Sequence, residues 1–121
     1  MESKRKLLLK ILNINCYLTD EAGFDDIYLV VDDQKIWPTD KSAYPVKPGK
    51  IKIELKLSGY DPGTFLEIEI WDFDYFSSND LLGKVPLFLD EPGGPYNTDM
   101  IQNMNKTQKA KYSIDWEIDF M

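Results

Sequence analysis

Residues 50–57 read Lys-Ile-Lys-Ile-Glu-Leu-Lys-Leu, a stretch in which charged and apolar side chains alternate without a break. Successive side chains of a β-strand point to opposite faces, so this pattern predicts a strand with one apolar face and one charged face. Residues 66–71 and 111–120 repeat the alternation. These three segments predict amphipathic strands that cover a hydrophobic core.

Further strand signals lie around these segments. Residues 27–31 form a β-branched and aromatic run that suits a buried strand, and residues 7–14 and 85–89 are apolar runs with β character. Pro-Gly dipeptides at residues 48–49 and 62–63 are typical of the turns between strands. Because no long helical pattern is present, the sequence predicts an all-β fold, an antiparallel β-sandwich.

One segment leaves two alternatives open. Residues 97–109 are polar and rich in Asn and Gln. Asp99 is a suitable N-cap for a short helix, and Gln102 completes a capping box three residues later. A loop is an equally good interpretation of the same residues.

Composition excludes several classes of protein. The chain has 121 residues, which fits one domain spanning residues 1–121. It contains no histidine, so nucleophile systems activated by imidazole are excluded. Cys16 is the single cysteine, which excludes an internal disulfide, and we expect it to be a small buried hydrophobe. A net charge of −7 argues against nucleic acid as a partner.

The first residues resemble a signal peptide only briefly. Basic residues 4–6 precede Leu7, Leu8 and Leu9, but Lys10 interrupts the apolar run. No stretch reaches the roughly 18 apolar residues of a membrane span. We therefore expect a soluble protein that is not exported by the general secretory route.

The excess negative charge is concentrated in two segments. The first precedes the buried strand at residues 27–31, and the second follows the strand that ends at Trp71. Seven acids form the two groups: Asp20, Glu21, Asp25, Asp26, Asp72, Asp74 and Asp80. Without them, the remaining 14 acids match the 14 basic residues.

Crowded carboxylates need a compensating charge. Two of them about 4 Å apart repel each other by about 1 kcal/mol in water and about 4 kcal/mol at an effective dielectric of about 20. Calcium accepts roughly six to eight oxygen ligands in flexible geometry, so it suits two acidic loops that converge. Solvated loops in which Asp residues cap turns are the alternative.

Both acidic segments resemble the calcium loops of C2 domains. Residues 20–28, Asp-Glu-Ala-Gly-Phe-Asp-Asp-Ile-Tyr, are similar to the first loop, and residues 71–83 are similar to the third, with Asp-x-Asp followed by Asn-Asp and a glycine. The resemblance covers residues 7–120 and implies a C2-like β-sandwich of about eight strands. It also implies that five carboxylates bind two or three Ca²⁺ ions: Asp20, Asp26, Asp72, Asp74 and Asp80.

The resemblance also implies a mechanism of membrane docking. In C2 domains, apolar residues at the loop tips enter the membrane interface, and Phe24, Tyr75 and Phe76 occupy those positions here. The expected function is a non-catalytic targeting or adaptor module that docks to an anionic phospholipid membrane when calcium binds. Such a protein is cytoplasmic and peripherally membrane-associated, or is exported by a non-classical route.

A different class of function stays open. In it the chain is a structural or protein-interaction subunit of a larger assembly, such as a secretion or toxin complex, and calcium stiffens the loops. The aromatic loop tips and the long connection at residues 90–110 would then contact a protein partner.

Lysines on the charged face of residues 50–57 are a weaker candidate site. Lys50, Lys52 and Lys56 lie where some C2 domains bind phosphoinositide headgroups. Glu54 dilutes this patch, so a solvated strand face is the favoured interpretation. We expect the three tryptophans to belong to the core: Trp37, Trp71 and Trp116.

Other chemistries fit the acids less well. An EF-hand loop counted from Asp72 has Ser77 where its glycine belongs and Gly83 where its glutamate belongs. An Asp-x-Asp phosphotransferase needs an α/β fold, and seven acids exceed the pair that glycoside hydrolysis uses.

The sequence also departs from the C2 pattern. Ile27 replaces the usual proline after the second acid of the first loop, and the familiar Pro-x-Trp-Asn-Glu segment is absent. These departures indicate a divergent branch, for which we expect a bacterial source.

Overall fold

The computed structural model describes residues 5–104 and 109–121. Ten β-strands and no helix occur in these residues, so the predicted all-β class is confirmed, with more strands than the eight expected. The strands are β1 (Leu7–Leu18), β2 (Asp25–Val31), β3 (Gln34–Trp37), β4 (Tyr44–Val46), β5 (Gly49–Tyr60), β6 (Thr64–Asp72), β7 (Asp80–Leu89), β8 (Gly93–Asp99), β9 (Ile101–Gln102) and β10 (Lys111–Phe120). Among the described residues, no helix has the length and apolarity to cross a membrane.

The strands form two antiparallel sheets. The four-stranded sheet has the order β5-β1-β10-β8. The other has the order β3-β2-β6-β7-β9, with β4 also paired to β2. Long β1 and β10 pair along their whole length, from Leu7 opposite Phe120 to Leu18 opposite Lys111, and form the centre of the first sheet.

The core lies between the two sheets and follows the two-residue period of the strands. On β2, Ile27, Leu29 and Val31 face inward and are buried, while the residues between them are half-buried. The apolar face predicted for residues 50–57 packs against this core from the edge strand β5. Cys16 is buried in the core, as expected.

The helix considered for residues 97–109 is not formed in the described part of that segment. Residues 93–99 form β8, which pairs with β10, and residues 101–102 form β9, which pairs with Gly83 and Lys84 of β7. Residues 105–108 of the segment lie outside the described residues. The sequence-based prediction missed strand β8 because its residues, Gly-Gly-Pro-Tyr-Asn-Thr-Asp, have a composition typical of a turn. The strand conformation of these residues depends on pairing with β10.

Three side chains are less buried than the sequence predicted. Trp116 is buried in the core, but Trp37 and Trp71 are only half-buried. Trp71 lies on the outer face of its sheet, where its ring stacks on that of Tyr28. Phe120, expected to point inward, is 44% exposed and packs under the guanidinium of Arg5.

One end of the sandwich carries both acidic segments. Loop 19–24 joins β1 to β2, and loop 73–79 joins β6 to β7. The register places Ile27 of β2 opposite Asp72 of β6, and Asp72 opposite Asp80 of β7. We call this end, formed by loops 19–24 and 73–79, the acidic pole.

Candidate functional site

Direct backbone contacts tie the two acidic loops together. The backbone N–H of Asp26 donates to Oδ1 of Asp72 at 3.0 Å, and the N–H of Phe73 donates to the carbonyl oxygen of Asp26 at 2.7 Å. Segments 46 residues apart in the sequence therefore share one site. The five carboxylates singled out in the sequence belong to residues at this same end of the sandwich.

Asp72 is the most perturbed acid of the site. Its residue is 3% exposed, and burial raises the pKa of its carboxyl to about 7. The negative charges of Glu21, Asp25 and Asp26 add to this rise, and the hydrogen bond from the Asp26 backbone only partly opposes it. The carboxyl therefore lies in a strongly negative, poorly solvated place.

Asp25 has a structural role that the sequence interpretation missed. It is completely buried, and its carboxylate accepts hydrogen bonds from the backbone N–H groups of Asp20 (2.9 Å) and Glu21 (3.0 Å). The hydroxyl of Tyr112 donates a third bond of 2.6 Å to it. These bonds attach the first acidic loop to the core. Asp25 therefore supports the candidate site structurally and is not one of its exposed ligands.

The sequence did contain a signal for this role. Asp25 is two residues before Ile27 and therefore lies on the same inward face of β2. Tyr112 has the same relation to Ile114 on β10, and a buried tyrosine hydroxyl usually has a hydrogen-bond partner.

Glu21 is a second acid that the predicted ligand set omitted. The pKa of its side chain is raised, first by burial and then by the charges of Asp25, Asp74 and Asp20. In turn, the charge of Glu21 contributes to the raised pKa of Asp72, so the two carboxyls belong to the same strongly negative region of the pole.

Two of the predicted ligands are held by other groups. The Asp74 carboxylate accepts bonds from the N–H of Phe76 (2.9 Å) and the hydroxyl of Ser77 (2.7 Å), and these bonds lower its pKa. Oδ1 of Asp20 accepts a bond from the N–H of Lys109 at 3.1 Å. Within residues 5–104 and 109–121, no three acidic side chains are spaced as one group of metal ligands.

The donor set nevertheless fits calcium chemically. All the groups at the pole that could act as ligands are carboxylate, carbonyl or hydroxyl oxygens, which hard cations prefer. Among the described residues these side chains are not spaced as a ready cage, so calcium binding would draw the carboxylates of both segments closer together.

Aromatic side chains project from the same pole. Phe24 is 45% exposed, Tyr75 is 70% exposed and Phe76 is 99% exposed. The ring of Tyr75 packs edge-on against Phe73, with centroids 4.8 Å apart, so Phe76 is the outermost of the three. A fully exposed phenylalanine contributes almost nothing to the core, which makes it a candidate contact residue.

The predicted headgroup lysines are partly neutralised by nearby acids. Lys50 lies 3.8 Å from the carboxylate of Asp115, and Lys52 lies 3.2 Å from that of Glu54. Burial raises the pKa of the Asp115 carboxyl. Hydrogen bonds from asparagine side chains and the charge of Lys50 lower it by more, so the pKa lies below its usual value. Lys56 is exposed on the same strand. This arrangement agrees better with a solvated face than with a strongly basic patch.

Comparisons with known proteins identify the architecture. No family model matches the sequence, and no curated protein matches it significantly. Among solved structures, a C2 domain is 16% identical, with a TM-score of 0.57 over 96% of this chain and 99% of its own. Another C2 domain, from plant extended synaptotagmin 1, is 14% identical, with a TM-score of 0.52 over 97% of this chain and 95% of its own.

A third similar structure is that of CC2D1B, a protein that acts in the mitotic reformation of the nuclear envelope. It is 13% identical, with a TM-score of 0.63 over 98% of this chain, which spans 56% of the CC2D1B chain. At these identities the comparisons show the fold alone. The fold is C2-like, as the resemblance implied, and the expected bacterial source stays a prediction.

Proposed function

We propose that this chain is a C2-like, non-catalytic module that binds calcium at the acidic pole and then docks to an anionic phospholipid membrane. The observation that carries this proposal is the position of Asp72. The backbone N–H of Asp26 donates to its buried carboxyl, and the charges of Glu21, Asp25 and Asp26 raise its pKa, so both acidic segments meet at one strongly negative point.

Calcium is the ion that this arrangement favours. A divalent cation would remove the repulsion between Asp72 and its acidic neighbours. We propose the predicted set as ligands, Asp20, Asp26, Asp72, Asp74 and Asp80, with Glu21 as an additional candidate.

Membrane docking follows from what surrounds the acids. Without the ion, the negative loops repel an anionic bilayer; with it, that repulsion falls and Phe24, Tyr75 and Phe76 are free to enter the interface. The three rings lie at the tips of the same two loops, so one membrane plane can take all of them.

Thermal unfolding against calcium tests the metal site. A ligand at about 100 times its dissociation constant stabilises the folded state by about 2.7 kcal/mol. We expect calcium to raise the melting temperature, and Asp74→Asn to remove most of the gain. Asp33→Asn is the matched control, because Asp33 lies in the β2–β3 turn, away from the acidic pole, and should respond like the original chain. An unchanged melting curve in millimolar calcium would eliminate the proposed site.

Sedimentation with vesicles tests the membrane step separately. We expect the protein to pellet with phosphatidylserine-containing vesicles in calcium and to stay in solution with chelator. If calcium stabilises the protein but the protein does not pellet with vesicles, the metal site is supported and the membrane role is contradicted.

A protein-interaction module is the second candidate function. Asp74 favours it, because its carboxylate accepts bonds from the N–H of Phe76 and the hydroxyl of Ser77, a role within the second acidic loop that needs no ligand. Under this alternative, the exposed rings at the acidic pole contact a protein in a larger assembly. A stable partner complex that is unchanged by chelator, together with no pelleting, would favour it.

A further inference from the structure

A second candidate site lies at the open side of the sandwich, away from the acidic pole. It is a cleft of about 480 Å³ whose lining includes Phe88, Asp90, Glu91, Tyr96 and Trp116. We call this cleft the edge groove. Asp80 and Leu89 are the two ends of β7, about 30 Å apart at about 3.3 Å per residue, so the acids that follow Leu89 lie near the opposite pole.

Strand pairing explains why the groove exists. Strand β9 pairs with β7 only at Gly83 and Lys84. Among the described residues, the C-terminal half of β7, residues 85–89, therefore pairs with β6 alone. Strand β8 is the edge of the other sheet and pairs with β10 alone. The two sheets therefore leave an opening between two strand edges, at the side where the chain crosses from β7 to β8.

The ring of Tyr96, which is 44% exposed, forms one wall of the groove, and the buried ring of Trp116 supports it from behind. Tyr96 and Trp116 are opposite each other on β8 and β10, with ring centroids 4.7 Å apart and planes tilted by 45°. The indole N–H of Trp116 donates to Oγ1 of Thr98 at 3.0 Å, which fixes the orientation of the ring. Aromatic faces carry negative electrostatic potential and attract cations within about 6 Å of the ring centre.

Carboxylates supply the charge beside this wall. Asp90 and Glu91 are both exposed at the mouth of the groove, and neither makes an ion pair or a side-chain hydrogen bond among the described residues. An ordered aromatic wall next to unpaired carboxylates is complementary to a cationic group on an apolar stem.

We propose that the edge groove binds the cationic side chain, arginine or lysine, of a basic segment in a protein partner. The stem of the side chain would lie on the exposed ring of Tyr96, which packs on the buried Trp116, and its charged head would meet Asp90 and Glu91. An extended segment suits this place, because the unpaired edges of β7 and β8 are surfaces on which a peptide strand can form backbone hydrogen bonds. This site does not depend on calcium or on a membrane.

Nuclear magnetic resonance of the full chain tests the proposal. The probes are N-acetyl-arginine amide and N-acetyl-trimethyllysine amide, with N-acetyl-norleucine amide as the neutral control. We expect both cationic probes to shift the indole N–H signal of Trp116 and the amide signals of Glu91 and Tyr96 in a saturable way. The neutral probe should not, and added salt should weaken the effect.

Matched variants identify the groups responsible. Asp90→Asn combined with Glu91→Gln should weaken binding at least fivefold, and so should Tyr96→Ala. Asp33→Asn combined with Asp40→Asn removes the same charge elsewhere and should stay within twofold. The carboxylate variant changes only exposed side chains, so it keeps the test valid if Tyr96→Ala does not fold.

Three outcomes with the amino-acid probes would overturn the proposal. They are equal shifts with the neutral probe, unchanged binding in the carboxylate variant, and cation-induced shifts confined to the acidic pole. Binding to phosphatidylcholine vesicles in calcium-free buffer, without binding to the amino-acid probes, would assign the groove to a lipid headgroup and remove the peptide partner.

Discussion

The hydroxyl of Tyr112 on β10 donates a 2.6 Å hydrogen bond to Oδ2 of Asp25, 87 residues away at the start of β2. This bond joins the two sheets under the acidic pole. Since Asp25 also holds the backbone of the first acidic loop, the hydroxyl connects the core directly to the geometry of the candidate site.

Replacing this hydroxyl should weaken both the fold and the loop. Tyr112→Phe leaves a buried carboxylate without one of its donors, which costs about 1 to 3 kcal/mol of unfolding free energy. We expect urea denaturation to show that loss, and calcium affinity to fall with it. Tyr75→Phe removes a hydroxyl from a side chain that is 70% exposed and should leave stability unchanged. Equal stability of the two variants would contradict the role given to Tyr112.

Stability without calcium should fall as the pH rises from about 4 to about 7. The Asp72 carboxyl has a pKa of about 7 when folded and an unperturbed value of 3.8. Between these values the folded state keeps a proton that the unfolded state has lost, so raising the pH destabilises the fold until both states are ionised. The effect should reach a few kcal/mol, since one pKa unit corresponds to about 1.4 kcal/mol.

Urea unfolding across that pH range measures the slope. Asp72→Asn cannot ionise and should flatten most of it, while the smaller contribution of Glu21, whose pKa is also raised, persists. Asp33→Asn should keep the original slope. A stability that rises through this range in the calcium-free chain would show that Asp72 is not the buried, proton-binding acid described above.

The outermost ring should matter for vesicles and not for folding. Phe76 is 99% exposed, so Phe76→Ala should leave the melting temperature unchanged and reduce calcium-dependent pelleting with anionic vesicles. Phe65→Ala is the matched control, because Phe65 is 62% exposed at the start of β6, at the end away from the acidic pole. If both variants pellet like the original chain, the aromatic tips do not contact the membrane.

Gly83 should tolerate no side chain. A Cβ atom there would collide with the carbonyl oxygen of Ile101 and lie 2.7 Å from Cγ of Met100. We expect Gly83→Ala to displace β9 from β7 and to cost about 1 to 3 kcal/mol, the usual range for overpacking. Thermal melts can compare it with Ser58→Ala, an exposed change on β5 that should have little effect. A melting temperature equal to that of the original chain would show that β9 adjusts freely.

Much of the fold could be predicted from residues alone. The strands predicted at residues 27–31, 66–71 and 111–120 lie within β2, β6 and β10, because a β-branched run and a two-residue period are both local properties of a segment. Strand β8 was missed, since its Gly-Gly-Pro start resembles a turn and only the neighbouring β10 supplies its hydrogen bonds.

By itself, the sequence determined the sandwich class, the strongly acidic character of two loops and the exposed aromatic residues at their tips. Each of these depends on composition or on spacing within one segment. Only the tertiary structure decided which acids are buried for a structural role and which belong to the candidate site. Neighbouring Asp25 and Asp26 lie on opposite faces of β2, so the Asp25 carboxylate is buried against Tyr112, while Asp26 is half-buried and its backbone N–H donates to Asp72. Contacts between the sheets, which no single segment contains, set the burial of these carboxylates and the raised pKa of Asp72.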